Sequence, residues 1–141
     1  HNPIYINKMI KILFSQKVDI VSTNRFLKKN SLDDWSLWRK KLTTLRHYVI
    51  KLFLNIKFDS SGAYRCYNIK KIKLQDILSA KNESYSFFWE SIFILSKKYK
   101  IREIPIKLPG RLSGSSKMRI KDIIFAVIYL IKIFLKKRLF I

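Results

Sequence analysis

The chain is poor in residues that interrupt regular structure and in residues that bind metals in local clusters. Its 141 residues include three glycines, three prolines, one cysteine and two histidines. The single cysteine, Cys66, excludes an intramolecular disulfide and a cysteine-rich metal site. His1 and His47 are too far apart in sequence to form a local ligand pair. The sequence therefore contains no zinc-module pattern.

Acidic residues are also scarce. Nine Asp and Glu residues stand against 30 Lys and Arg residues, which gives a formal net charge of +21. A chain this positive favours polyanionic partners: nucleic acid, anionic lipid headgroups or phosphorylated substrates. Because 48% of the residues are apolar and 14% are aromatic, a disordered basic tail is excluded. The length fits one domain with its own core.

The chain has no long hydrophobic run. Residues 123–131 carry no charge, but Lys132 follows them and residues 136–138 are all basic. A membrane-spanning helix needs about 20 apolar residues. Residues 118–141 are therefore expected to form a basic amphipathic helix at a membrane interface. Packing against a transmembrane partner would give the same pattern.

The hydrophobic periodicity predicts an α/β chain. Helices are expected after Asn2-Pro3 and over residues 35–56, 68–72 and 85–98, and strands over 18–21, within 58–67 and over 101–108, with a turn at 22–25. The helix over 35–56 carries an apolar stripe, for which core packing is the expectation and a membrane surface the alternative. The stripe consists of Trp38, Leu42, Leu45, Val49 and Phe53.

Most of the few glycines and prolines are concentrated in one segment. Residues 104–117 hold two of the three prolines and two of the three glycines. The loop within it begins at Arg111, ends at Lys117 and has small hydroxyl side chains between them. Arginine, lysine and closely approaching backbone N–H groups are suited to a phosphate or diphosphate. A solvated basic turn is the plainer alternative.

Several motifs occur in an order that resembles one family. Residues 59–65 read Asp-Ser-Ser-Gly-Ala-Tyr-Arg, residues 85–90 read Tyr-Ser-Phe-Phe-Trp-Glu, and residues 103–106 read Glu-Ile-Pro-Ile before the basic loop. Residues 1–3, 19–25 and 35–43 extend the match upstream: His-Asn-Pro, Asp-Ile-Val with Arg25, and Trp-x-x-x-Arg with Thr43. The set resembles the polyprenol-phosphate (dolichol-phosphate) mannosyltransferases of glycosyltransferase family 2.

Three positions depart from the family pattern. Thr23 stands where glycine is usual, and Thr43 replaces a serine while keeping the hydroxyl. Lys98 stands where a helix-ending glycine is common. A left-handed backbone at Lys98 would cost about 1 kcal/mol relative to glycine.

The resemblance implies a fold and an activity. The fold would be the C-terminal part of a GT-A type, Rossmann-like domain: a mixed sheet with flanking helices, in which residues 1–117 form the acceptor-side half. The activity would be inverting transfer of a hexose, such as mannose, from a nucleotide diphosphate sugar to a polyprenol phosphate at the cytoplasmic face of a membrane. Mg²⁺ or Mn²⁺ would be bound mainly by residues upstream of His1, together with the nucleotide-binding half, so the chain alone is expected to be inactive.

The resemblance also implies roles for individual residues. Arg25, Arg39 and Thr43 would bind the acceptor phosphate, and Arg111, Ser115, Ser116 and Lys117 the donor diphosphate. Asp59 would orient an arginine or the sugar, and Gly62, Arg65, Glu90 and Gly114 would support the site.

Each role has a structural alternative. Arg39 also fits a solvated basic face, and Asp59 a turn-forming side chain. Glu90 needs a partner if it is buried, for which Arg65 is the hypothesis, but it also fits a helix start. Trp35 and Trp38 fit either a membrane interface or a core. A basic nucleic-acid-binding module is the alternative function, although no RNA-recognition signature or helix-turn-helix spacing is present.

Overall fold

The computed structural model describes residues 2–82, 85–110 and 120–139, with the side chains of 121–135 in the last segment. This part of the chain forms a mixed α/β structure. Its elements are α1 (Ile4–Ser15), β1 (Ile20–Asn24), α2 (Leu37–Leu54), β2 (Arg65–Tyr67), α3 (Leu74–Leu78), α4 (Ser86–Leu95), β3 (Ile101–Pro105) and α5 (Ile120–Leu139).

The sheet has three strands in the order β2-β1-β3. β1 pairs with β2 in antiparallel and with β3 in parallel orientation, and the parallel register runs from Ile20 opposite Ile101 to Asn24 opposite Pro105. All five residues of β1 are buried. The strand therefore continues through Ser22 to Asn24, where a turn was expected, because neighbouring strands and loops satisfy its backbone on both sides.

Two of the predicted helices begin at side-chain caps. The Asn2 carboxamide oxygen accepts from the N–H of Ile4, and the Ser36 hydroxyl accepts from the N–H of Arg39. α2 ends at Asn55, which has a left-handed backbone with φ 52°. The short helix expected over 68–72 is a turn instead, and a helical turn follows at Leu74–Leu78.

Apolar clusters lie on both sides of the sheet. Met9 and Leu13 of α1 pack on Val21 and Ile104. A larger cluster joins the C-terminal half of α2 to α4 and α5; it includes Ile50, Leu54, Trp89, Ile92 and Leu130. These contacts fix α2 against α4 and α5 through one face near its C-terminal end.

The apolar stripe of α2 lies outside this core. Trp38, Leu42, Leu45 and Val49 are exposed, and Trp38 keeps 71% of its surface accessible. Core packing, the expectation for the stripe, is therefore wrong for these four residues. The helix instead buries His47, Ile50 and Leu54, which lie on a different face.

Two further features concern the backbone at Lys98 and the length of the helices. Lys98 is not left-handed, so no strain arises there; its ammonium group contacts Asp76 at 2.6 Å. Within the described residues, no helix has the length and apolarity required to cross a membrane.

Candidate functional site

Polar side chains converge at the carboxyl ends of the parallel strands β1 and β3, the edge at which open α/β sheets bind ligands. Asn24, the last residue of β1, donates from Nδ2 to Glu103 Oε2 at 2.8 Å. Glu103 Oε1 accepts from the backbone N–H of Asp59 at 2.7 Å. Burial raises the pKa of Glu103, although both hydrogen bonds oppose that shift. Glu103 thus ties β1, β3 and the loop at 59 together.

A buried ion pair lies beside this link. Arg25 Nε is 2.9 Å from Asp59 Oδ2, and Asp59 keeps only 1% of its surface exposed. Oδ2 also accepts from the Arg25 N–H, while Oδ1 accepts from the N–H and hydroxyl of Ser61. Burial would raise the pKa of Asp59, but the charge of Arg25 and these hydrogen bonds outweigh it and lower the pKa.

The carboxylate of Asp59 therefore has both roles that its sequence context allowed. It makes the Asx-type hydrogen bond to Ser61, and it orients Arg25. With two hydrogen bonds on each oxygen, its acceptor capacity is filled. This geometry favours orientation of the arginine over contact with a sugar.

Gly62 permits close approach of the 59–62 loop to β1. A Cβ at this position would lie 2.9 Å from the backbone oxygen of Thr23, closer than side chains tolerate. Thr23 itself fits its strand position and donates from its hydroxyl to the Tyr64 carbonyl. The predicted close approach at Gly62 is therefore to the protein backbone.

The pair proposed between Arg65 and Glu90 is wrong. Arg65 donates to the Ser91 hydroxyl at 2.8 Å and to the Phe88 carbonyl at 2.5 Å. Glu90 is buried and accepts from the Tyr129 hydroxyl at 2.6 Å and from the Asn82 N–H at 3.1 Å. Both residues support the structure, but Arg65 attaches β2 to α4 whereas Glu90 attaches α4 to α5.

The N-terminal part of α2 carries the other predicted phosphate ligands. The Arg39 guanidinium stacks on the Trp35 ring, with 3.6 Å between its carbon and the ring centroid. Thr43 follows one helical turn later and is half-buried. Trp35 donates from Nε1 to the Pro109 carbonyl at 3.3 Å. Trp35 therefore neither fills a core nor extends into solvent, and it holds Arg39 beside the end of the 106–110 segment.

Arg46, which the motifs do not include, lies near the ion pair. It is half-buried, and burial together with repulsion from Arg25 lowers its pKa, while Asp59 opposes the shift. The available signal was its spacing: residues 39, 43 and 46 follow the i, i+4, i+7 rule and share one helix face. Glu103 and Asn24 were missed because only contact between β1 and β3 reveals their role.

The predicted donor-diphosphate residues lie outside the described residues, so their placement stays a prediction. They are Arg111, Ser115, Ser116 and Lys117, and Gly114, expected to support the site, lies outside the described residues as well. Gly110, immediately before them, is packed so closely that a Cβ there would lie 2.7 Å from the Asp34 carbonyl oxygen. No group of three or more potential metal ligands occurs among the described residues.

No protein-family model matches the chain, and no solved structure matches it significantly.

Proposed function

We propose that this chain is the acceptor-side part of a GT-A type glycosyltransferase that transfers a hexose from a nucleotide diphosphate sugar to a polyprenol phosphate at the cytoplasmic face of a membrane. The observation that carries the proposal is the network of Arg25, Asp59 and Glu103. These residues belong to three separate segments that resemble the polyprenol-phosphate mannosyltransferases. Their convergence at a ligand-binding edge of the sheet supports the resemblance.

The chemistry requires little more than positioning and charge. An ionised lipid phosphate is already a nucleophile at neutral pH, and it would attack the anomeric carbon with inversion while the nucleotide diphosphate leaves. Arg25, oriented by Asp59, and Arg39, held on Trp35, would bind that phosphate, and Thr43 would donate a hydrogen bond. The divalent metal and its ligands, which the resemblance assigns upstream of His1, would supply charge for the leaving group.

The exposed stripe of α2 supports a membrane location. Trp38, Leu42 and Leu45 are solvent-exposed along the helix that carries Arg39 and Thr43. Apolar side chains on a strongly basic chain favour an anionic membrane surface, where lysines contact the headgroups. A lipid phosphate at this surface would lie level with the arginines of the same helix.

Vesicle co-sedimentation tests the proposal. Phosphatidylcholine vesicles would contain either a polyprenyl phosphate or, at equal surface charge, polyprenol with phosphatidylglycerol. The chain should prefer the polyprenyl phosphate vesicles, and Arg39→Gln should reduce that preference about tenfold through loss of a charge-assisted contact. Lys41→Gln, an exposed charge two residues away on α2, should retain it.

Equal binding to both kinds of vesicle would reduce the interaction to charge alone and contradict the proposal. Strong binding to duplex DNA at the same salt, without vesicle binding, would favour the nucleic-acid alternative.

A further inference from the structure

The segment after β3 runs along the loop that leads from β1 to α2. The N–H of Ile106 donates to the Asn24 carbonyl at 3.2 Å. Two residues later, the N–H of Leu108 donates to the Ser31 carbonyl at 2.9 Å. Ser31 is buried, and its hydroxyl donates to the carbonyl of Arg25. Hydrogen bonds therefore join this segment to the end of β1 and to the loop that follows it.

The next two residues of the segment contact the turn that contains Trp35. The Pro109 carbonyl accepts from Trp35 Nε1 at 3.3 Å. Gly110 lies against Asp34, and a Cβ at position 110 would be 2.7 Å from the Asp34 carbonyl oxygen. Because Cβ atoms do not approach a backbone oxygen this closely, any side chain at position 110 would force the segment and the turn apart.

Trp35 also fixes the guanidinium group of Arg39. The guanidinium carbon lies 3.6 Å from the centroid of the Trp35 ring, and both residues are half-buried. A guanidinium that is already held on a ring loses less conformational freedom when it binds an anion than one that extends into solvent. Trp35 thus contacts Arg39 through its ring and the 106–110 segment through its N–H.

We propose that Trp35 is a positioning residue that raises the affinity of Arg39 for the acceptor phosphate, and that this effect depends on the docked position of residues 106–110. The inference rests on the proposed function, in which Arg39 binds the phosphate, and adds a residue that acts through Arg39. Coupling between two sites is reciprocal. Docking of the segment therefore strengthens phosphate binding, and a bound phosphate stabilises the docked segment.

The ratio of binding to polyprenyl phosphate vesicles and to charge-matched phosphatidylglycerol vesicles tests this inference, because the ratio cancels changes in general membrane binding. Trp35→Leu, which removes both the ring and the N–H, should lower the ratio about fivefold. Trp35→Phe, which keeps an aromatic ring but loses the donor, should lower it about threefold. Trp38→Leu is the matched control. Trp38 is exposed on α2, so its loss should weaken binding to both vesicles and leave the ratio unchanged.

A double-mutant cycle with Arg39→Gln separates a positioning role from a structural one. In a chain that already carries Arg39→Gln, Trp35→Leu should lower the ratio by less than about twofold, because its effect acts through the guanidinium. An equal loss with and without Arg39 would identify Trp35 as structural and overturn the inference. Trp35→Phe, the milder change, gives the same cycle if Trp35→Leu does not fold.

Gly110→Ala tests the dependence on the docked segment without changing either Trp35 or Arg39. The added methyl group meets the Asp34 carbonyl oxygen, so the segment has to shift. We expect the ratio to fall about threefold as the contact with Trp35 is lost. Adding Trp35→Phe should then cause little further loss, since both changes break the same hydrogen bond. Fully additive losses would contradict the coupling.

The same vesicle measurements distinguish failure of this inference from failure of the proposed function. If the wild-type chain prefers polyprenyl phosphate and Arg39→Gln reduces that preference, but Trp35→Leu behaves like Trp38→Leu, the inference fails and the proposed function stands. If the wild-type chain shows no preference, both fail.

Discussion

At the residue scale, Asp59 is the most constrained side chain of the site. It is almost fully buried, its two oxygens accept four hydrogen bonds, and one of these comes from the Arg25 guanidinium. Removing one partner of a buried ion pair costs about 3–5 kcal/mol because the other charge stays buried. Asp59→Asn leaves the buried Arg25 guanidinium without its carboxylate partner.

We expect Asp59→Asn to lower the free energy of unfolding by about 3–5 kcal/mol at pH 7. The native pKa of Asp59 lies below its ordinary value of 3.8. Its stabilising contribution is therefore complete above that value and is lost as pH falls through the native pKa. Urea unfolding at several pH values should show the deficit of the variant shrinking below about pH 4.

The free energy of unfolding of the variant has to be compared with that of the wild-type chain at each pH, because protonation of Glu103 changes stability in the opposite direction. Its raised native pKa means that the native state takes up its proton first, so acidification removes a cost of burial. Asp33→Asn is the matched control. Asp33 is half-exposed and 3.9 Å from Lys40, so its loss should change stability by less than about 1 kcal/mol. A deficit of Asp59→Asn that is independent of pH would contradict the ion-pair interpretation.

The sequence predicted which polar residues support the site, but it did not predict their hydrogen-bond partners correctly. Arg65 and Glu90 were expected to pair with each other in support of the site, yet they have separate partners. Residue type predicts that a buried carboxylate needs a donor, but several donors satisfy that need equally. Tyr129, whose hydroxyl donates to Glu90, lies 39 residues away on α5. Only the packing of α5 on α4 selects it.

At the scale of elements, the hydrogen bond between Glu90 and Tyr129 fixes α5. Glu90 is 3% exposed, and at 2.6 Å the Tyr129 hydroxyl is its nearest donor among the described residues. Burial, and after it the hydrogen bond to Glu90, raises the pKa of Tyr129 strongly, so the phenol remains a donor at all ordinary pH values. Phe53 and Phe134, with ring centroids 5.0 Å apart, hold the next part of α5 on α2.

Tyr129→Phe should therefore lower the free energy of unfolding by about 1.5–3 kcal/mol, the range for a hydrogen bond to a charged group. Amide exchange should show reduced protection concentrated in α5, measured relative to α1. Tyr48→Phe is the control, because Tyr48 is exposed and should lose less than about 0.5 kcal/mol. A uniform loss of protection across the chain would contradict a local role for the hydrogen bond.

Periodicity predicted the helices well but not the face that each one buries. The α2 stripe has the spacing of a core-facing helix, yet it is exposed, while the core contact is made by Ile50 and Leu54. A hydrophobic period reports that a face is apolar and does not report what covers it. The short β1 was predicted to end at Val21 because Ser22 and Thr23 resemble a turn, although pairing on both sides continues the strand.

At the scale of the whole molecule, two apolar stripes lie on the outer surface of a strongly basic chain. α2 exposes Trp38, Leu42, Leu45, Val49 and Leu52, and α5 exposes Ile124, Ile128, Ile131 and Leu135 at the same alternating steps of four and three. The mixed α/β class was predictable from alternating strand and helix patterns. The exposure of the α2 stripe was not, because it depends on which surfaces the rest of the fold leaves uncovered, whereas an interfacial helix was the expectation for residues 118–141.

Membrane binding by such a surface should include an apolar contribution to affinity that persists at high salt. Screening at 0.5 M NaCl shortens the Debye length to well below 10 Å and weakens contacts with headgroups, whereas apolar insertion persists. We expect wild-type chain to stay bound to anionic vesicles at 0.5 M NaCl. Leu45→Ser combined with Leu52→Ser should release it, with at least a tenfold loss of affinity, since each buried leucine contributes about 1.5–3 kcal/mol.

Ile69→Ser provides the matched control for this surface. Ile69 is 84% exposed, more than Leu45 or Leu52, but it lies in the turn after β2 and belongs to neither helix. If exposure alone determined insertion, its loss would weaken binding at high salt as much as either leucine. Because an interfacial helix inserts a continuous face, we expect Ile69→Ser to bind like the wild-type chain and only the α2 variant to be released. Equal release of both variants, or of neither, would contradict a membrane-facing role for α2.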